Sequence, residues 1–392
     1  MTAAPSPLQL SARASVTEIA AADWDRLLGA DDQPFVRHAF LSALEQSGSL
    51  RQDLGWTPMP LLLLQDGACV AALPAYLKGN SHGEFVFDWA WADAYLHHRV
   101  PYYPKLLIGV PYTPVPGPRL LVGDGPQATA LRHRVRLALE QFVLRTRLSS
   151  AHINFPCEAD AGACAHDPWL PRFDWQYHFH NPGYADFDAL LAEFNHKKRK
   201  NIRHERRRAH SHGLDIAWVD GTELCEAELD DLHALYLETF DRKGNTPALT
   251  RDFFSLICAR MPTQFHTALA RRAGRIEAAA LFFSSSTTLY GRYWGARADY
   301  ADLHFELCYY QGLEYALRRG LRRFEPGAQG EHKIARGFVP TRTRSAHYIA
   351  RPDFRRAIRA AIDRESQALR EYQRQIAEHL PFRVADGQRP EC

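Results

Sequence analysis

Apolar residues recur along the chain at two spacings, which predict helices and strands in alternation. In the first half, Leu131, Val135 and Leu139 share one face of a predicted helix, and the turn Asp66-Gly67 between two apolar runs predicts a hairpin. In the second half, strands are predicted over 265–271, 275–283 and 288–294, followed by a helix over 303–319 and a short strand ending at Glu325. This order of elements is typical of an α/β protein with a mixed sheet.

The two halves of the chain show the same succession of strand, helix pair, strands, helix and strand, which favours an internally duplicated architecture. A chain of 392 residues is also long for one hydrophobic core. We therefore predict a first domain over residues 1–172 and a second domain over 173–350 that holds the candidate active site. Residues 351–392, rich in Arg, Glu and Ala, predict a C-terminal helix that packs back on the first domain.

Composition narrows the class of protein without naming a function. An apolar content of 46% with 24% charged residues is that of a globular protein, and a formal charge of +3 requires no polyanionic partner. The seven cysteines include no Cys-x-x-Cys pair, which fits a reducing compartment. No apolar window is long enough to span a bilayer, and no secretory signal is visible, so we expect a cytoplasmic protein.

A strongly basic segment follows Asp186, which is predicted to cap a helix that runs to Gly213. Between His196 and His212 there are eight Lys or Arg residues and four His, against Glu205 alone. Arg199, Arg203, Arg206 and His210 repeat at helical spacing. A solvated charged face is the alternative interpretation. Clustered guanidinium groups, however, suit phosphate or an RNA backbone, so Arg199 and Arg203 are candidate anion contacts.

A glycine-rich loop after the strand that ends at Glu325 concentrates ionisable residues. Glu325, Glu331 and His332 are candidate proton acceptors for an attacking amine, while Lys333 and Arg336 are candidates to hold an anion. The alternative is a structural turn whose Glu–Lys or Glu–Arg pairs satisfy one another. In the preceding helix, Tyr309 is either a core residue or a substrate contact.

Residues 81–119 are rich in aromatic residues and proline, and six prolines between 101 and 118 predict a stiff path without long regular structure. One interpretation is a loop that packs its aromatic rings on a core. The other is the wall of a substrate cleft, in which Trp89 and Asp93 contact the substrate and Lys105 holds an anion.

Several motifs are absent from the sequence. It contains no G-x-x-x-x-G-K-[ST], no H-E-x-x-H and no G-x-S-x-G. It also has no Arg/Gln-x-x-Gly-x-Gly/Ala loop before a helix, the device by which an acetyl-CoA enzyme holds pyrophosphate on backbone amides. We expect neither a bound cofactor nor a metal site.

Four segments together resemble one family: YYPKLLIGVPYTPVPGPRLL, HKKRKNIRHERRRAHSHG, YGRYWGA and FEPGAQGEHKIARGFVPTRTRSAHYI. The chain, from about Phe35 to Ile349, resembles the FemAB-like, peptidoglycan-bridge-forming branch of the N-acyltransferase superfamily. Within that branch it is most similar to the predicted N-acyltransferases of peptidoglycan biosynthesis or recognition. The resemblance implies two tandem acetyltransferase-like (GNAT-like) domains and transfer of an activated acyl group to an amine.

The resemblance also implies roles for individual residues. By motif, Lys105 and Arg199 or Arg203 match the lysine and arginine with which FemAB-like enzymes bind the phosphates of a nucleotide-linked cell-wall precursor. It further implies an aminoacyl-tRNA donor and an amine or cell-wall-precursor acceptor. The chain lacks the coiled-coil arm with which some members bind tRNA, so an acyl-CoA donor stays open. A non-catalytic module that recognises peptidoglycan fragments is the third hypothesis.

Overall fold

A computed structural model of the chain describes residues 8–30, 32–328, 330–377 and Pro381. The chain divides into two compact units. The first unit comprises the chain up to Asp174 together with Thr343–Leu369, and the second comprises Trp175–Arg342 together with the chain from Arg370. Within the described ranges, no helix combines the length and the apolar character that crossing a membrane requires.

Up to the division at Asp174, the described residues of the first unit form seven strands, the beginning of an eighth strand and five α-helices. In chain order these elements are β1 (Gln9–Ala12), α1 (Ala21–Asp25), α2 (His38–Gln46), β2 (Trp56–Pro58), β3 (Leu61–Gln65), β4 (Ala68–Leu73), β5 (Ala75–Lys78), α3 (Trp89–His97), β6 (Lys105–Ile108), α4 (Ala128–Thr146), β7 (Ser150–Asn154), α5 (Glu158–Ala163) and β8 (Trp169–His180). Short 3-10 turns cover Val16–Glu18, Arg26–Leu28 and Pro34–Val36.

The second unit carries the remaining elements, of which the last two return to the first unit. They are α6 (Phe187–Glu193), α7 (His196–His210), β9 (Asp215–Asp220), α8 (Glu226–Arg242), α9 (Arg251–Arg260), β10 (Phe265–Arg272), β11 (Arg275–Ser284), β12 (Thr288–Ala296), α10 (Leu303–Phe305), a π-helical turn (Glu306–Tyr310), α11 (Gln311–Arg318), β13 (Arg323–Glu325), a 3-10 segment (Glu331–Arg336), β14 (Val339–Ile349) and α12 (Pro352–Ala377).

Each unit is built around one parallel pair of strands. In the first unit, β6 and β7 are parallel and α4 connects them, with β5 and β2 added antiparallel on one side and β14 on the other. A separate antiparallel sheet has the order β1-β3-β4. In the second unit, β12 and β13 are parallel, and α10 and α11 lie between them in the chain. β11, β10 and β9 extend this sheet antiparallel on one side, and β8 adds on the other.

Each unit has its own hydrophobic core. The apolar stripe of α4, including Val135, Leu139 and Val143, packs with the strands of the first unit around Leu106 and Ile108. In the second unit, the helices α6, α10 and α11 cover the sheet, with Leu190, Leu307 and Phe324 fully buried in one continuous core. This burial of apolar surface is the main stabilising contribution in both units.

The sequence-based elements differ from the structure at three places. The basic segment forms two helices because Asn195, whose side chain accepts from the Lys198 amide, starts α7 after α6 has ended. The proline-rich segment contains the regular elements α3 and β6, since its prolines lie outside them. The connection after Cys157 includes the short helix α5.

The compact units have other boundaries than the predicted domains 1–172, 173–350 and 351–392, because each unit consists of two separate segments of the chain. Residues Thr343–Leu369 belong to the first unit, whereas α12 changes unit at Arg370. Phe354, Ile358 and Ile362 of α12 pack with Tyr95 of the first unit, and Ile376 packs in the core of the second unit.

Candidate functional site

The candidate site lies in the second unit, where the parallel strands β12 and β13 stop pairing. They are in register only over Thr288–Tyr290 and Arg323–Glu325. Beyond this point β12 continues to Ala296 while β13 ends. A bulge also leaves Arg292 as an extra residue in β12, because Phe282 faces Gly291 and Leu281 faces Tyr293. Such a divergence leaves main-chain groups of β12 without a partner on β13, and bulges of this kind occur beside active sites.

Glu325 is the last residue of β13 and is only 3% exposed. Neither of its carboxylate oxygens accepts a hydrogen bond in the structure. Arg323 Nε lies 3.0 Å from Glu325 Oε1 as an ion pair, without hydrogen-bond geometry. Burial raises the pKa of Glu325 to about 7, against the opposing charges of Arg323 and Arg292. A carboxyl group with this pKa changes its protonation state near neutral pH, as a general base must.

His178 faces Glu325 from the neighbouring strand β8, and it is 1% exposed. Its Nε2 lies 3.1 Å from Gln176 Oε1. Because that amide oxygen only accepts, Nε2 carries the ring proton and Nδ1 is the unprotonated nitrogen. Among the residues that the structure describes, His178 Nδ1 has no hydrogen-bond partner, and it lies 3.9 Å from Glu325 Oε1, beyond hydrogen-bonding distance. Two buried proton acceptors thus face each other, and no described residue donates a hydrogen bond to either of them.

Lys333 is a third buried ionisable group of this region, with 2% exposure. Its Nζ donates to the Gly327 carbonyl oxygen at 2.6 Å, and no carboxylate of the described chain pairs with it. Burial lowers the pKa of Lys333 to about 8. An ammonium with one acceptor for its three protons is suited to hold an anionic group of a substrate.

His332 and Tyr309, both predicted site residues, form a hydrogen-bonded pair with 2.7 Å between Tyr309 Oη and His332 Nε2. Burial, together with the cations Arg336 and Lys333, lowers the pKa of His332. Glu331, by contrast, is exposed and accepts a hydrogen bond from Tyr372. The two adjacent candidates Glu331 and His332 therefore bond to different elements and do not act on one another.

Arg336 was predicted to hold an anion, and the structure instead places it in a network of hydrogen bonds within the protein. Its guanidinium donates to Tyr310 Oη at 3.1 Å, to the His332 carbonyl at 2.7 Å and to Glu205 Oε2 at 2.8 Å. It also stacks on Phe305, 3.5 Å from the ring centre. These contacts leave Arg336 to fix the 3-10 segment on α7, and we assign it no contact with substrate.

The helices α6 and α7 enclose a cleft of about 890 Å³. One wall is basic and contains Arg199, Lys200, Arg203 and Arg207, while α6 supplies an apolar wall with Phe187 and Leu191. Arg203 is exposed and Arg199 is half-buried. Among the described residues no carboxylate forms an ion pair with Arg199 or Arg203. The cleft thus keeps cationic groups available for an anion.

Arg206 belongs to the same predicted face but has a structural role. Its guanidinium donates to both oxygens of Glu306 at 2.9 and 3.0 Å, and it also contacts Glu314. Glu306 is fully buried and lies in the π-helical turn between α10 and α11. The sequence analysis did not select Glu306, because an acidic residue near the start of a helix is ordinary.

Lys105 lies in the first unit and is completely buried. Its three ammonium protons are directed to Ser81, Glu84 and Asp88. Burial alone would lower the pKa of Lys105, but the carboxylates of Glu84 and Asp88 raise it above its usual value. No donor remains for a phosphate, so the predicted anion contact of Lys105 is not supported by its surroundings.

Trp89 and Asp93 lie one turn apart on α3 and are exposed. Trp89 makes an edge contact with His82, with 4.7 Å between the ring centres. The helix that contains them therefore presents both side chains at the surface of the first unit. Their role in binding substrate stays a prediction.

The structure therefore places Glu325 beside His178, which the sequence analysis did not select, and Lys333 close enough to affect the charge of His178. The pKa of His178 is lowered by burial, with Lys333 among the nearby cations that add to this. A signal for it exists in the sequence: Gln176, His178 and His180 alternate along a strand and so share one face. In the described ranges, no group of three or more His, Cys, Asp or Glu side chains is arranged to hold a metal ion.

The sequence of the chain also relates it to a known protein family. A family model described as peptidoglycan biosynthesis/recognition, FemAB-like, matches residues 15–384. The chain belongs to the FemAB-like family. Membership extends over both compact units, and it makes the protein an acyltransferase with its donor and acceptor unspecified. No curated protein matches the sequence.

Solved structures with the same fold have very different sequences. A protein of unknown function from Bacteroides thetaiotaomicron shares 12% identity at a TM-score of 0.51, covering 86% of this chain and 99% of its own. The C-terminal domain of a predicted lysylphosphatidylglycerol synthetase from Agrobacterium fabrum shares 12% identity at a TM-score of 0.50, covering 88% and 96%. FemX aligns at a TM-score of 0.49 with 9% identity, covering 87% and 97%. For the first two structures, the likeness at such identities shows the fold and not the reaction.

Proposed function

We propose that this FemAB-like protein transfers an aminoacyl group from aminoacyl-tRNA to an amine acceptor. The observation that carries the proposal is the pair of buried proton acceptors Glu325 Oε1 and His178 Nδ1, which lie 3.9 Å apart and receive no hydrogen bond from any described residue. A primary amine or ammonium group supplies N–H donors to both, which relieves the cost of burying two unsatisfied polar groups. The site is therefore complementary to a nitrogen nucleophile.

In the proposed reaction one proton moves twice, first to Glu325 and then to the leaving group. The acceptor amine attacks the carbonyl carbon of the aminoacyl ester, and one N–H proton passes to the Glu325 carboxylate. The ester C–O bond breaks, and the leaving hydroxyl oxygen of the tRNA takes up the proton that Glu325 received. An amide replaces the ester, and no group is oxidised or reduced. His178 positions the amine, while the Lys333 ammonium stabilises the negative charge on the carbonyl oxygen.

The choice of aminoacyl-tRNA as donor rests on the basic wall of the cleft between α6 and α7. Arg199, Lys200, Arg203 and Arg207 lie on one helix without carboxylate partners in the described chain, a pattern that suits the closely spaced phosphates of RNA. The family description connects such transfer with peptidoglycan, so a cell-wall precursor is the acceptor that we propose. The cytoplasmic location stays a prediction from the sequence.

Acyl-CoA is the second candidate donor. The apolar wall of the same cleft, with Phe187 and Leu191, gives an acyl chain a surface beside cations that suit the phosphates of coenzyme A. The two donors differ in one decisive property, because only aminoacyl-tRNA is destroyed by ribonuclease.

A transfer assay with the purified full chain tests the proposal. Labelled aminoacyl-tRNAs are supplied in one series and labelled acyl-CoAs in the other, each with a pool of amines that includes cell-wall precursors and each with and without ribonuclease. Ribonuclease-sensitive transfer is the expected result. Transfer from acyl-CoA alone would replace the donor and keep the reaction. Binding of peptidoglycan fragments without transfer from either donor would contradict the proposal and favour a recognition module.

A further inference from the structure

A second chain of polar side chains crosses three neighbouring strands of the second unit. Asp220 ends β9, His266 lies directly opposite it in β10, and Ser284 ends β11. His266 Nδ1 lies 2.6 Å from Asp220 Oδ1, and His266 Nε2 lies 2.8 Å from Ser284 Oγ. The three groups thus form a continuous hydrogen-bonded series of carboxylate, imidazole and hydroxyl, in which none of the residues assigned above takes part.

The Asp220 carboxylate determines which ring nitrogen of His266 carries the proton. An ionised carboxylate only accepts, so His266 Nδ1 carries the ring proton and Nε2 offers its lone pair to the Ser284 hydroxyl. Burial lowers the pKa of His266, although Asp220 opposes the shift, so the imidazole is neutral at pH 7. His266 is 2% exposed, whereas Ser284 is half-buried. A hydroxyl that is hydrogen-bonded to a neutral, oriented imidazole has the geometry of an activated nucleophile.

Ser284 also lines a pocket of about 320 Å³, together with Tyr315, Arg318 and Arg319. The Arg318 guanidinium lies 5.8 Å from the centre of the Tyr315 ring, and Tyr315 Oη lies 3.4 Å from His266 Nε2. Across the described residues, neither arginine forms an ion pair with a carboxylate. Two such guanidinium groups beside a nucleophile favour a substrate that carries a negative charge.

We propose that Ser284, His266 and Asp220 form a second catalytic site, which hydrolyses carboxylic esters that bear an anionic group. Ser284 Oγ bonds to the ester carbonyl carbon while its proton passes to His266 Nε2. The C–O bond to the alcohol breaks, and the alcohol leaves with that proton. Water then gives a proton to His266 and its oxygen to the acyl group. The acid is released, and His266 returns the proton to Ser284. Asp220 is a positioning residue, and the two arginines bind the anion.

Covalent labelling of the full chain tests the nucleophile. A fluorophosphonate probe labels an activated serine, because the serine oxygen bonds to phosphorus and fluoride leaves. Peptide mass spectrometry then identifies the labelled residue. We expect the label on Ser284, its loss in Ser284→Ala, and its retention in Ser211→Ala. Ser211 is a suitable control because it is an exposed serine of the same unit whose hydroxyl donates to the Arg208 carbonyl. A wild-type protein that carries no label on Ser284 would overturn the proposal.

Ester hydrolysis tests the rest of the site and the class of substrate. With 4-nitrophenyl hydrogen succinate, an anionic ester, we expect Asp220→Asn to lower kcat by roughly 10²–10⁴-fold and to change the pH profile that His266 imposes. The double variant Arg318→Ala, Arg319→Ala should have a higher KM for this ester. Its KM for the neutral ester 4-nitrophenyl butyrate should be unchanged. Circular dichroism shows that each variant is folded. Hydrolysis by Ser284→Ala at the wild-type rate would refute the proposed site.

Discussion

At the scale of single residues, Glu325 has two properties that separate a proton acceptor from a structural carboxylate. It is buried, and neither oxygen accepts a hydrogen bond from a described residue. Glu306 is a buried carboxylate of the structural kind, since both of its oxygens accept hydrogen bonds, from Arg206 and Gln311. A protein retains an unsatisfied buried group at a cost in stability, and such sites cluster where function requires them.

This cost gives the first prediction. Burial raises the pKa of Glu325 from 4.5 to about 7, so the folded protein favours the neutral carboxyl. The contribution of Glu325 to stability is therefore fully present below pH 4.5 and is lost as the pH rises toward 7. Relative to Glu325→Gln, which cannot ionise, the wild type should lose on the order of 3 kcal/mol in free energy of unfolding across this window. Urea denaturation at several pH values measures the difference, and a pH-independent difference would contradict the assigned shift.

Lys105 gives a second prediction at this scale. Its substitution by Ala leaves the carboxylates of Glu84 and Asp88 buried without their cation. Breaking a buried ion pair in this way costs about 3–5 kcal/mol, so we expect a large fall in the free energy of unfolding. The matched variant Arg145→Ala, at the end of α4, should change it by less than about 0.5 kcal/mol. A Lys105→Ala protein with wild-type stability and weakened binding of anions would instead restore the phosphate role expected from the sequence.

At the scale of elements, α7 shows how one basic helix divides its charges between structure and ligand. Glu205 and Arg206 face the 3-10 segment and the π-helical turn, where they pair with Arg336 and Glu306. Arg199 and Arg203 line the cleft, as Arg206 also does, but no carboxylate of the described chain forms an ion pair with either of them. Helical spacing alone cannot make this division, because the partners Glu306 and Arg336 are about 100 residues or more away along the chain.

The third prediction follows from that division. Arg199→Ala with Arg203→Ala should weaken binding of tRNA by about tenfold or more and reduce its dependence on salt, since each lost phosphate contact lowers the salt slope by about one. Stability should change little. Arg206→Ala is the contrasting variant, because it leaves Glu306 buried and uncompensated and should lower the free energy of unfolding by about 3–5 kcal/mol. Equal tRNA affinity in the wild type and the double variant, by filter binding across a salt series, would exclude the cleft as the donor site.

The elements themselves were largely accessible from the sequence. The apolar runs indicated β10, β11 and β12 close to their observed bounds, and helical spacing indicated the buried stripe of α4. The break between α6 and α7 was missed because the polar Asn195 that caps α7 lies within a run of charged residues. The helix α3 was missed because the prolines around it outweighed its own sequence.

At the scale of the whole molecule, the FemAB-like family and the acyl transfer that it implies were recognisable from four motifs, and the family match over residues 15–384 confirms the membership. The site was only partly predictable. Glu325 and Lys333 stood out because ionisable residues are concentrated around one loop. His178 comes from a strand about 150 residues earlier, and only the order of the strands in the sheet brings it beside Glu325. Which cations are free likewise depends on tertiary partners, as the contrast between Arg203 and Arg206 shows.

We claim that Glu325 accepts the proton of the attacking amine, and a single-turnover experiment tests this role. Wild-type protein and Glu325→Gln are each loaded with labelled aminoacyl-tRNA at saturation and mixed with the acceptor amine. We predict that Glu325→Gln forms the amide about 10²–10⁴-fold more slowly, with unchanged affinity for tRNA. The wild-type rate should fall below pH 7, as Glu325 becomes protonated. Amide formation by Glu325→Gln at the wild-type rate would contradict the claim.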